Sequence, residues 1–247
     1  MSKLLSEEKA KKRIQRKTVD LFSGIAVFLT VTALLLATVF AGNAKIQSVN
    51  ASGFAIYKGS TNEKKACLMF NVYEGAENVN EIMEILRKYS AKATFFIGGI
   101  WAEKNAETLL SLSLSGNEIG SHGYLHRDHS KMSIEQNKEE IVLSTRLVKN
   151  ITGFQIKLFA PPSGAYGDAT ESACKALGLK LIMWTKDTID WRDKDVGTIV
   201  NRATKNINKG DLILMHPKDQ TVLALPKIIE TYQEQGFELV TVSEAIA

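Results

Sequence analysis

Three of the four histidines follow short apolar runs: His122 and His126 in the segment SHGYLH, and His216 at the end of LILMH. A lone histidine is more often a satisfied core or surface residue than a ligand. A His-x-x-x-His pair behind a short strand such as Glu118–Ser121 says more, because neutral imidazoles are frequent zinc ligands and this spacing lets both reach one ion. His129, three residues further on in a polar loop, is expected to be exposed. The other unusual segments are FNVYEG (Phe70–Gly75), APPSG (Ala160–Gly164) and DTIDW (Asp187–Trp191). Singly they read as ordinary features: a turn, a rigid Pro161–Pro162 loop, and an acidic loop in which Asp187 and Asp190 straddle a turn. Together, each closing a different strand-like run, they are far more specific.

The elements that must position these residues alternate along the chain. Apolar runs lie at Ala66–Phe70, Ala93–Ile97, Leu158–Phe159, Leu179–Trp184, Leu212–Met215 and Glu238–Val242. Helix-period stretches lie between them. Ile82, Ile85, Leu86 and Tyr89 share one helical face. Ser133 and Gln136 form a capping box that opens a helix running to about Lys149, with Gly153 beyond it. Thr198–Ile207 and Leu225–Gln235 read as further helices. Strands alternating with helices imply an α/β fold with a mainly parallel sheet, open or closed into a barrel. Such sheets carry their active sites on loops at the C-terminal ends of strands, where the unusual residues fall.

Charge is distributed unevenly. Residues 1–20 hold seven Lys/Arg against three acids; taking these from the totals of 31 and 27 leaves 24 of each sign in the rest. The net charge of +4 therefore sits in the tail, and the neutral body has no basic excess with which to bind nucleic acid. Leu21–Ala41 contains no charged residue and is long enough to span a ~30 Å hydrocarbon core. The basic flank orients the tail to the cytoplasm and the body outside the membrane. The apolar stretch exceeds the ~7–15 residues of a cleaved signal, so it reads as an uncleaved anchor. The division is then a cytoplasmic tail over 1–20, an anchor over 21–41, a linker over 42–63 and a folded domain over 64–247. Cys67 and Cys174 fall in apolar strand-like and helix-like runs and read as buried free thiols.

From about Lys64 to Ala247 the chain resembles the polysaccharide deacetylases that share the NodB homology domain, carbohydrate esterase family 4. EIGSHGYLHRDHSKMS is similar to the family's second motif, LFAPPSGAYG to the third, DTIDW to the fourth and LILMH to the fifth, while ATFFIGG matches a characteristic strand. The resemblance implies a deformed (β/α) barrel with fewer than eight complete units. It implies metal-dependent removal of N-acetyl groups from an amino-sugar polymer such as peptidoglycan. In that chemistry a metal, Zn²⁺ by type, polarises the amide, a carboxylate takes the proton of water, and a histidine protonates the leaving amine. By the same resemblance His122 and His126 bind the metal and His216 is the acid. Asp187 and Asp190 are both candidates to tune His216, and Pro161, Pro162, Ser163 and Trp191 contact the glycan.

The first motif of the family reads Thr-Phe-Asp-Asp-Gly, whereas this chain has Met69-Phe70-Asn71-Val72-Tyr73-Glu74-Gly75. Asn71 stands at the place of the base, and an amide accepts no proton at neutral pH. Two extra residues separate Phe70 from Gly75, and Glu74 is the candidate replacement for the ligating carboxylate. Ala160 stands at the motif arginine, removing the guanidinium that would orient a carboxylate. Two expectations follow: a membrane-anchored deacetylase working with an altered base, or an impaired deacetylase-like barrel that binds cell-wall glycan without turnover.

Overall fold

The computed structural model describes residues 53–247. The tail, the apolar stretch Leu21–Ala41 and the first half of the expected linker lie outside the described residues. Within them, no helix is long and apolar enough to cross a membrane.

The central strand β1 (Lys65–Val72) is buried from Ala66 to Val72. It is followed by α1 (Ala76–Lys88), β2 (Ala93–Ile97), α2 (Gly99–Lys104), α3 (Ala106–Leu114), β3 (Glu118–Ser121) and α4 (Ile134–Thr152). Then come β4 (Leu158–Phe159), α5 (Asp168–Leu177), β5 (Lys180–Leu181), β6 (Lys186–Asp187) and α6 (Val196–Thr204). The chain closes with β7 (Leu212–Met215), α7 (Asp219–Glu234), β8 (Glu238–Leu239) and α8 (Val242–Ala245). Every strand pairing is parallel, in the order β5-β4-β3-β2-β1-β7-β6, with β8 joined to the start of β1. This is the expected α/β barrel in an incompletely closed form, since β5 and β6 end the hydrogen-bonded path and no helix lies between them.

Side chains alternate along β1 as strand geometry requires. Leu68, Phe70 and Val72 enter the core beneath the helices, together with Val79, Ile82 and Leu86 of α1. Cys67 and Met69 face the barrel interior with Phe96, Leu158, Ala160, Ile182 and Leu212. Both cysteines are free and buried, as expected. Of the segment Val72–Glu74, which holds the two extra positions, Val72 prolongs the strand: Asn71 pairs with Phe96 and Val72 with Ile97. The capping box of α4 is present, with Ser133 Oγ accepting the Gln136 N–H at 3.2 Å and Gln136 Oε1 accepting the Ser133 N–H at 2.9 Å. Helix α7 begins at Asp219, ahead of the expected Leu225, and carries Pro226 in its interior.

The expected linker ends earlier than residue 63. The Ile56 N–H donates to Leu181 O and the Met183 N–H to Ile56 O, both at 2.8 Å, so this segment covers the edge of β5 that no strand pairs. Tyr57 and Tyr166 hydroxyls meet at 2.8 Å, and the Gly59 N–H donates to Gly210 O at 2.7 Å. An uncovered sheet edge leaves backbone groups unpaired. Two hydrogen bonds and the partial burial of Ile56 together contribute about 2–4 kcal/mol. A chain starting at residue 64 is therefore expected to melt roughly 5–15 °C below one starting at residue 52, as read by circular dichroism.

Candidate functional site

Strand β3 ends beside β2, where Ile97 O accepts the His122 N–H at 2.9 Å. The His122 ring is buried, and its Nδ1 lies 2.8 Å from Ala160 O. A carbonyl can only accept, so Nδ1 carries the proton and Nε2 presents its lone pair to the cleft. Burial, and then the neighbouring His126, hold the His122 pKa well below the ordinary imidazole value. The His126 ring centroid lies 5.1 Å from that of His122, and burial lowers its pKa as well. The loop between them is fixed by Glu140 of α4, whose Oε2 accepts the N–H groups of Tyr124 and Leu125 at 2.9 and 2.8 Å.

His129 is buried rather than exposed, which corrects the reading of a polar loop. Its Nδ1 meets Asn137 Oδ1 at 2.6 Å, its ring lies 5.0 Å from Phe159, and its buried Nε2 has no hydrogen-bond partner among the described residues. It stands directly beneath the loop: a Cβ added to Gly123, which has φ +75°, would meet His129 Nε2 at 3.0 Å.

His216 leaves the end of β7. Asp190, fully buried, accepts its backbone N–H at 2.7 Å on Oδ2 and its Nδ1–H at 2.8 Å on Oδ1. The Thr221 hydroxyl also donates to Asp190 Oδ2, at 2.6 Å. Nε2 of His216 is thus left for the cleft. The turn that delivers Asp190 holds Ile189 at φ +54°, a left-handed conformation that a β-branched residue rarely takes. Of the two candidate aspartates, Asp190 is therefore the partner of His216. Asp187 lines the cleft instead; its carboxylate accepts the Ile189 N–H at 2.8 Å, and burial raises its pKa.

These groups border one cleft of about 270 Å³, lined by Asn71, Tyr73, His122, His126, Ser163, Trp184, Asp187, Trp191, Leu214 and His216. Asn71 is buried and its Oδ1 has no hydrogen-bond partner among the described residues. Trp191 stands half exposed at the rim. Pro161 and Pro162 are buried and lie outside the lining; they carry Ser163, whose φ is +56°, to the wall. Glu74 is a correction. It is exposed and ion-paired with Lys218, outside the lining. Tyr73, in the bend just after β1, escaped the sequence reading; its only signal was its place beside Asn71 in the altered first motif.

The residues do not fit a catalytic zinc as they stand. Such sites take three protein ligands, whereas here two imidazoles face a neutral amide. Among the described residues no group of three His, Cys, Asp or Glu could hold a metal.

The polysaccharide deacetylase family model matches residues 58–182. The chain is 34% identical over 189 residues to the uncharacterized protein YlxY of Bacillus subtilis, with 76% of this chain and 59% of that protein covered. It is 30% identical over 206 residues to a peptidoglycan-N-acetylglucosamine deacetylase of Bacillus cereus, covering 81% of this chain and 96% of that one. The crystal structure of a CE4 family pseudoenzyme from Bacillus anthracis superposes with a TM-score of 0.76 at 32% identity, covering 78% of this chain and 69% of that one. A mutant of that pseudoenzyme is described as having restored enzymatic activity. The chain belongs to the polysaccharide deacetylase family.

His122 and His129 are buried neutral, so their folded pKa values lie below the 6.5 of a free imidazole. The unfolded chain then binds more protons as pH falls below that value, and stability falls with it, by up to ~1.4 kcal/mol per pH unit for each group. Urea unfolding at pH 7.5 and 5.5 should show this loss. His129→Leu should make the pH dependence shallower; an unchanged slope would mean that His129 titrates alike in both states.

Proposed function

We propose that this chain is a membrane-tethered, extracytoplasmic domain that binds N-acetylated amino-sugar polymer of the peptidoglycan type without hydrolysing it. The observation that carries this reading is Asn71, buried at the place of the base with Oδ1 unpartnered among the described residues. A buried amide cannot take a proton from water, and general-base catalysis is worth ~10²–10⁴-fold. Ala160 adds nothing polar: its side chain is packed among Phe96, Leu158 and Ile182. What the cleft retains suits recognition. Tyr73, Trp184 and Trp191 supply aromatic faces for sugar rings, while Ser163 and Asp187 supply hydrogen-bonding groups. The relatives named as peptidoglycan deacetylases support this ligand class.

One observation favours the second reading, a deacetylase with an altered base. The His216–Asp190 pair is complete, with Nδ1 protonated and Nε2 directed to the cleft. Such a pair can protonate a leaving amine once water has been activated.

Acetate release from N-acetylated chito-oligosaccharide, measured beside sedimentation with purified peptidoglycan, separates the two. Wild type should release no acetate above a heat-inactivated control while sedimenting with the glycan. Trp191→Ala should weaken sedimentation by about tenfold, or 1.4 kcal/mol. Steady acetate release by wild type would sink the non-catalytic reading.

The tether rests on Leu21–Ala41 and the basic tail before it. Protease added to intact protoplasts should degrade the domain, and full protection would reverse the assigned orientation.

A further inference from the structure

Cys67 and Met69 face the barrel interior from β1, Asn71 lines the cleft, and Tyr73, in the bend just past the strand end, lines it as well. Its ring centroid lies 4.3 Å from that of His126, 6.2 Å from His122 and 6.1 Å from His216, so one aromatic ring adjoins all three imidazoles of the cleft. Both flanks of Tyr73 are tied down. Before it, Val72 O accepts the Gly98 N–H at 2.8 Å. After it, Glu74 is ion-paired with Lys218, and the Asn78 side-chain amide donates to Asp219 at 2.9 Å. Gly75, at φ +71°, lies so close to the loop after His216 that an added Cβ would meet Pro217 O at 2.4 Å. The backbone on both sides of Tyr73 is therefore fixed, while the side chain itself is about a third exposed at the cleft mouth.

A zinc ion bound to histidine sits ~2.0–2.1 Å from the ring nitrogen and needs open directions for a third ligand and for water. The Tyr73 ring stands beside both imidazoles that would hold such an ion. We propose that Tyr73 is a plug: its ring fills the space in front of His122 and His126, so this chain excludes a catalytic metal by volume at Tyr73 as well as by missing charge at Asn71. The inference rests on the non-catalytic reading above and adds to it a second, independent block. Restoring the carboxylate at residue 71 alone then leaves the site closed.

The test uses the full chain in detergent, with zinc as the probe. After equilibration with Zn²⁺ and gel filtration, metal content is measured together with the thermal unfolding of each variant. Wild type, Asn71→Asp and Tyr73→Ala should retain no zinc, and Asn71→Asp/Tyr73→Ala should retain close to one per chain. Asn71→Asp/Tyr73→Phe keeps the ring and should stay metal-free, which separates volume from the hydroxyl. If the alanine double variant does not melt cooperatively, Asn71→Asp/Tyr73→Ser is read in its place. A full equivalent of zinc on Asn71→Asp alone, or on Asn71→Asp/Tyr73→Phe, overturns the plug, as does an empty double variant that melts like wild type. Zinc retained by Asn71→Asp alone leaves the glycan-binding reading standing, whereas zinc retained by wild type overturns both.

Discussion

Strand β1 is paired to β2 from Leu68 to Val72 and to β7 from Cys67 to Phe70, so neither of its edges can slip without breaking two ladders. A shift of one residue would also turn its apolar side chains from one face to the other. That constraint settles the register of the first motif. Leu68, Phe70 and Val72 must enter the core under the helices, which leaves Asn71 on the interior face with Tyr73 next in line. The composition of the cleft floor is thus a consequence of how the core is packed. Val72, at a position where a short loop was expected, is an apolar residue serving the core.

The histidine loop depends on a buried polar group rather than on apolar packing. Glu140 accepts two backbone N–H groups of the loop, Asn137 binds His129, and His129 supports Gly123 from below. Polar networks of this kind hold a single geometry when satisfied, because the low surrounding dielectric makes every alternative pairing costly. One atom of it, His129 Nε2, has no hydrogen-bond partner among the described residues. The support of His122 and His126 is thus intact although the third ligand of a metal site is absent.

On the opposite wall, the Asp190 carboxylate gathers two N–H groups of His216 and the Thr221 hydroxyl. The β1 wall carries no carboxylate in the lining, only the Asn71 amide and the Tyr73 ring. The two walls differ in kind: one is a hydrogen-bonded imidazole–carboxylate pair, and the other presents an amide and an aromatic ring.

Much of this was legible in the residues themselves. Alternating apolar runs and helix periods specify a parallel α/β sheet because strands and helices need different spacings of apolar side chains, and the Ser133–Gln136 box marks a helix start by local hydrogen bonding alone. Motif order placed His122, His126, Asp187 and His216 at strand ends, and all four line the cleft. Other features depended on contacts distant in sequence. Asp190 rather than Asp187 serves His216 because the Ile189 turn directs it there. His129 is buried because α4 brings Asn137 beneath a loop that is polar in sequence. Segment 54–57 joins the domain because β5 leaves an edge to cover. Glu74 pairs with Lys218 while Tyr73 lines the cleft, because the bend after β1 lies against the loop that follows His216. Local sequence carries periodicity and caps; which side chain occupies a shared cleft is decided by pairing across the sheet.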